Sequence, residues 1–157
     1  MVVVVNYRLG PQGWFSHPEL SAEEGGSSGN QGLDDQSRAL RWVKRNAFVF
    51  GGDPERITLW GQGAGGVSAL LQVAAPRSTG RFRSVVAWSG SIDTAAPSVD
   101  NIEVGLHADM WSAPARNDTG QLPSLQEAEA AGVAFALAAG CLSGPGQLAC
   151  LRSLSAM

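Results

Sequence analysis

Six residues, Gly61-Gln62-Gly63-Ala64-Gly65-Gly66, separate a short apolar run (Ile57-Thr58-Leu59-Trp60) from a helix-like run, Val67 to Ala75. A chain that passes from extended to helical in so few residues needs backbone angles that glycine adopts most readily. The stretch therefore demands a strand, a tight turn and a helix in that order. It fits two patterns. One is G-x-G-x-x-G, in which glycines let backbone N–H groups approach a pyrophosphate at a helix N-terminus. The other is G-x-S-x-G with glycine in place of the central serine, a strand-to-helix turn without its nucleophile.

The flanking chain supplies the fold class. Val2 to Tyr7 is a continuous β-branched run expected to form a strand covered on both faces. Residues 12–31 shift to Gly, Ser, Glu and Pro and are expected to be a surface loop, with His17 beside Pro18 as an exposed loop histidine. From Leu33, apolar residues recur at helical spacing through Leu40, Val43 and Ala47. Asp34 and Asp35 open this amphipathic helix and Lys44 and Arg45 close it, each sign at the end the macrodipole favours. Gly51-Gly52-Asp53-Pro54 breaks the chain. The strand Ile57–Trp60, a helix from Ala64 to the stop at Pro76, and a third strand Val85–Trp88 follow. This β-α-β-α-β order implies an α/β fold, with a mostly parallel sheet flanked by helices. Residues 92–124 read as a loop excursion, within which His107 and Asp109 do not share a helix face. Beyond it, an Ala-rich helix from Leu125 to Ala139 stops at Gly140, and a short helix spans Leu148 to Leu154. The chain is thus read as one partial domain of 157 residues, in segments 1–91, 92–124 and 125–157.

Composition narrows the function classes. A net charge of −3 without a Lys/Arg block gives no nucleic-acid footprint. No apolar run approaches 18 residues, so membrane insertion is not expected, and no signal peptide is evident. No metal site and no cofactor is expected. The apolar run directly after Met1 reads as a truncated start. Cys141 and Cys150 are too far apart for a C-x-x-C pair; their spacing is compatible with a disulfide or with two free thiols. Asn117-Asp118-Thr119 is a glycosylation sequon, relevant only in a secreted chain.

The dinucleotide pattern requires an acidic residue about 20 positions beyond the turn, to hold the ribose hydroxyls. No Asp or Glu occurs from Val67 to Ile92, and Arg81 and Arg83 precede the strand instead of ending it. The second pattern gains from its surroundings. Val3-Val4-Val5-Asn6-Tyr7-Arg8-Leu9-Gly10, Gly29-Asn30-Gln31-Gly32-Leu33-Asp34-Asp35-Gln36, Ala39-Leu40-Arg41-Trp42-Val43, Phe50-Gly51-Gly52-Asp53-Pro54-Glu55-Arg56-Ile57-Thr58-Leu59 and Trp88-Ser89-Gly90-Ser91 occur in one order. These five motifs closely resemble the type-B carboxylesterase and cholinesterase family. Residues 1–91 carry the match almost continuously. Phe135-Ala136 and Cys141…Cys150-Leu151-Arg152 extend it more loosely, and the stretch from Pro97 to Leu122 is longer than the family pattern.

The resemblance implies a partial α/β-hydrolase fold with these strands in the middle of its sheet. It also implies an intrachain Cys141–Cys150 disulfide, an Arg8–Asp35 salt bridge tying strand end to helix start, and a secreted or extracellular setting. Family enzymes carry Gly-Glu-Ser-Ala-Gly-Gly at the turn, the nucleophile elbow. Gly63 stands at the nucleophile position and Gln62 at the preceding glutamate, between Gly61 and the Ala64-Gly65 pair. Ala64 matches one oxyanion donor; the acid and histidine of the triad have no match. Gly63 is expected to relax a strained turn, and Gln62 to replace a carboxylate costly to bury. Ser68, Ser89 and Ser91 do not stand on the elbow; Ser68 is expected to be packed or bonded to the preceding turn.

Three functional readings follow. The first is a non-hydrolytic chain, a pseudoenzyme or a recognition module with an unidentified protein partner, as some relatives with vacant elbows are. The second is a carboxylic ester hydrolase whose codons at 62 and 63, or whose flanks, are misread. The third is dinucleotide binding at the turn. The outer strands of such a partial sheet are expected to be unpaired edges prone to aggregation.

Overall fold

The computed structural model describes residues 1–90 and 124–154. In chain order these form α1 (Gly10–Trp14), α2 (Pro18–Glu23), α3 (Gln31–Asn46), a 3-10 turn (Ala47–Phe50), β1 (Thr58–Gln62) and α4 (Ala64–Ala74). A second 3-10 turn (Pro76–Ser78), β2 (Ser84–Trp88), α5 (Leu125–Ala138) and α6 (Gln147–Ser153) complete the order. The two strands pair in parallel, with Thr58 opposite Ser84 and Gln62 opposite Trp88. Because side chains alternate along a strand, Leu59, Val85 and Ala87 lie on the partly covered face while Trp60, Val86 and Trp88 are exposed on the other. The crossover helix α4 packs on both strands. It starts directly from the turn and ends before Pro76, which lacks the N–H to continue it.

α3 seats on α4 through a buried amide. Gln72 of α4 is 2% exposed. Its Nε2 donates to the Leu33 carbonyl (2.9 Å) and to Gln36 Oε1 (3.1 Å), while its Oε1 accepts from the hydroxyls of Ser37 (2.8 Å) and Ser78. All four amide valences are filled, so a polar group that would otherwise be costly to bury joins three elements instead.

The expected Val2–Tyr7 strand is not formed. Residues 1–9 carry no ladder, because no described strand lies beside them to accept their hydrogen bonds. Exposure still alternates, at 87% for Val2, 42% for Val3, 89% for Val4 and 40% for Val5. The run has a two-residue period without a partner. It borders an open apolar cleft with Trp42, Val43, Ala47 and Phe50.

The Gly/Ser-rich segment is not a bare surface loop either. It folds into α1 and α2 and buries Ser16, His17, Ser21 and Ser28. The Ser28 hydroxyl lies 2.7 Å from that of Ser21 and 3.1 Å from that of Ser16, and it accepts the His17 backbone N–H. Small hydroxylated residues thus form a hydrogen-bonded core of their own. Apolar periodicity carries no signal for such a core.

The C-terminal helices close over this segment. A Ser124–Glu127 capping box starts α5, and Gly140 (φ 87°) ends it. Gly132, in the middle of α5, is required by contact: a Cβ there would overlap the Ser16 carbonyl. Glu19 of α2 accepts the N–H groups of Gly146 (2.7 Å), Gln147 (3.2 Å) and Leu148 (3.1 Å), the orphan donors at the start of α6. Arg152 donates to both oxygens of Glu23, at 2.9 and 2.7 Å.

Candidate functional site

The glycine-rich turn joins β1 to α4 within a single residue. Gly63 has φ 56° and ψ −122°, a combination that costs an L-residue on the order of 1–3 kcal/mol. Its N–H donates to the Trp88 carbonyl at the end of β2 (2.8 Å), and its own carbonyl accepts from Val67 in the first turn of α4 (3.0 Å). The turn is therefore pinned to the neighbouring strand on one side and to the helix on the other.

The glycines here differ in what requires them. A Cβ on Gly61 would overlap the Gly65 carbonyl, and one on Gly66 would lie 3.0 Å from the Trp88 carbonyl. Gly90 crosses so close to the start of α4 that a Cβ would come within 2.6 Å of Val67 N. Ser89 is drawn to φ 52° on the way into this crossing, the only positive φ at a non-glycine among the described residues. Gly63 and Gly65 have no such neighbours; added Cβ atoms there would meet nothing within 4 Å. Gly61, Gly66 and Gly90 are thus needed for packing, and Gly63 for its backbone angles alone.

Gln62 ends β1 on the exposed sheet face opposite Trp88. Relief from burying a carboxylate is therefore no reason for an amide at this position in the described chain. Ser68 is 5% exposed on α4, and its hydroxyl has no hydrogen-bond partner. It is packed but not bonded to the preceding turn. Ala64 opens α4 and follows Gly63 directly. Arg81 donates to the Ser37 carbonyl on α3.

His17, expected in an exposed loop, is 2% exposed. Its Nδ1 accepts the Glu19 N–H (3.2 Å), which leaves Nε2 to donate to Gln147 Oε1 (3.0 Å). Phe15 stacks on the ring at 5.9 Å and 14°. With both nitrogens engaged and water excluded, this histidine caps α2 and holds α6. The only sequence cue was Pro18 behind it, marking a helix start.

Arg8 and Asp35 come together in a forked pair: Nε–Oδ2 2.7 Å, Nη2–Oδ1 2.9 Å, with the Arg8 backbone N–H also on Oδ2 at 3.1 Å. Hydrogen bonding from Arg8 holds the Asp35 carboxyl below its usual value. Arg8 is 51% exposed. The larger cost reserved for a buried pair therefore does not apply here, and such a pair contributes at most about 1 kcal/mol. Cys141 and Cys150 form a disulfide. Ser91, His107, Asp109, Asn117 and the 92–123 excursion lie outside the described residues. Among the described residues there is no cluster able to hold a metal ion, and no helix long and apolar enough to cross a membrane.

Comparison with known proteins fits this geometry. Residues 1–107 match the family described as the carboxylesterase family. Bile salt-activated lipase of Homo sapiens is 47% identical over 90 residues, covering 57% of this chain and 11% of the lipase. Neuroligin-2 of Mus musculus is 45% identical over 91 residues, 58% of this chain and 10% of that protein. A solved structure of a thermophylic PNB esterase superposes with a TM-score of 0.68 at 30% identity, covering 96% of this chain and 24% of its own. The chain thus spans about a tenth to a quarter of the relatives it matches. Its parallel strands and flanking helices are a portion of the α/β-hydrolase fold. The chain belongs to the carboxylesterase family.

Proposed function

We propose that the 61–65 turn is the family's nucleophile elbow with its nucleophile position vacant, and that the chain is non-hydrolytic and serves as a recognition module. Gly63 carries this reading. It sits at a strained φ of 56° between β1 and α4 and offers neither hydroxyl nor thiol for covalent attack. Nearby hydroxyls do not replace it. Ser68 is enclosed in the helix and Ser89 follows the other strand. His17, the one histidine among the described residues, has both ring nitrogens committed. Ala64 would remain as a single oxyanion donor, without a bond-forming partner. The disulfide supports an oxidising, extracellular setting.

Turnover of a p-nitrophenyl ester tests the reading. The expected result is a rate equal to that of a mock preparation; turnover blocked by a serine-directed organophosphate overturns it. One observation favours the second reading, an ester hydrolase. The space around a Cβ at Gly63 is open, so a serine would fit without displacing anything. Sequencing the transcript across codons 62 and 63 separates the two: a glycine codon supports vacancy, and a serine codon restores the hydrolase.

A further inference from the structure

Arg41 and Arg45 lie four residues apart on α3, so their side chains leave the same face about 6 Å apart along the axis. Ser37, one turn earlier on that strip, accepts a hydrogen bond from the Arg81 guanidinium through its carbonyl. Arg81 is thereby fixed at the head of the row. Burial first, then the charges of Arg41 and Arg45, depress the Arg81 pKa, as like charges gathered on one strip require.

Four described arginines hold carboxylates, whereas Arg38 and Arg83 form no ion pair among the described residues. Arg8 holds Asp35, Arg56 holds Asp53, Arg77 holds Asp34 and Arg152 holds Glu23. Lys44, on the same helix, holds Glu55. Arg41, Arg45 and Arg81 have no carboxylate partner among the described residues, although the chain as a whole carries a net charge of −3. Arg41 and Arg45 act on Arg81 through their like charges, so the three present one positive strip.

We propose that Arg41, Arg45 and Arg81 form a docking strip for an extended acidic segment of a protein partner. Alternate side chains of an extended peptide are about 6.6 Å apart on one face, close to the spacing of Arg41 and Arg45. A Glu-x-Glu segment therefore presents one carboxylate to each. The guanidinium fork meets a carboxylate through two parallel hydrogen bonds, the arrangement this chain already uses between Arg152 and Glu23. The strip does not depend on what occupies position 63.

Fluorescence anisotropy of a short labelled peptide alternating glycine and glutamate tests this on the full chain. Saturable binding that weakens with salt is expected, with about tenfold loss in Arg45→Ala and a smaller loss in Arg45→Lys, which keeps the charge but not the fork. Arg56→Ala, which removes an equal exposed charge elsewhere, should bind as the parent does. Absence of binding by the parent overturns the proposal, as does equal weakening by Arg56→Ala. A sulfated oligosaccharide of matching charge that binds more tightly, and loses affinity in the same variants, would reassign the strip to a polysaccharide.

Discussion

Two regions of this chain are tied in opposite ways. Where α2 meets α5 and α6, a forked salt bridge and three N–H bonds to one carboxylate join residues far apart in sequence around a buried histidine, and a disulfide closes the local loop between α5 and α6. Where β1 meets β2, two strands pair with no third among the described residues and leave Trp60, Val86 and Trp88 uncovered. The first region is cross-linked within itself, with Gln147 Nε2 as a buried nitrogen that has no hydrogen-bond partner among the described residues. The second has the form of the centre of a larger sheet, consistent with a chain that spans only a fraction of its relatives. Position 63 lies in the open region, yet its backbone is pinned at both ends. Backbone contacts thus hold the geometry of this turn without any side chain at position 63.

This contrast can be broken in several places. Replacing both cysteines by serine should cost about 2–4 kcal/mol, read as a lowered melting temperature with early loss of protection at α6 amides and little change at β1. Equal loss of protection in both regions would show that they are not separately tied. Gly132→Ala should cost about 1–3 kcal/mol through its collision with the Ser16 backbone, and denaturant unfolding would record it. Gly63→Ser should cost only the angular strain, about 1–3 kcal/mol, because the space is open. A larger loss would mean that the turn depends on glycine for packing as well.

The smallest effect is that of pH. Backbone N–H bonds hold the Glu19 carboxyl, and Arg152 the Glu23 carboxyl, below the ordinary 4.5; Arg8 does the same for Asp35 against 3.8. Depressed carboxyls contribute stability that is fully present above the ordinary values and is lost as pH falls through the lower folded ones. Melting temperature should therefore be insensitive to these groups above about pH 5 and decline below about pH 4. Glu19→Gln should remove part of that decline.

The same contrast separates what could be read from sequence from what could not. β1, α4, β2, α5 and α6 were legible to within a residue or two because apolar spacing, Pro76 and Gly140 mark them. The glycine turn was legible as a strand-to-helix passage because nothing else joins those runs so tightly. The Val2–Tyr7 run has strand composition, but a strand also needs a neighbour, which composition cannot supply. The 12–31 segment was misread because its core is made of serine hydroxyls and a histidine, residues whose burial depends on partners more than a hundred positions away, such as Gln147. Ser89 at positive φ was invisible for a related reason: its strain comes from the crossing of Gly90 over α4.

The most direct test of a vacant elbow is the intact mass of the purified chain after exposure to a serine-directed organophosphate, with Gly63→Ser treated in parallel. An unmodified parent chain is the predicted result. A stoichiometric adduct on the parent, mapped to any serine and formed together with loss of ester turnover, would contradict it.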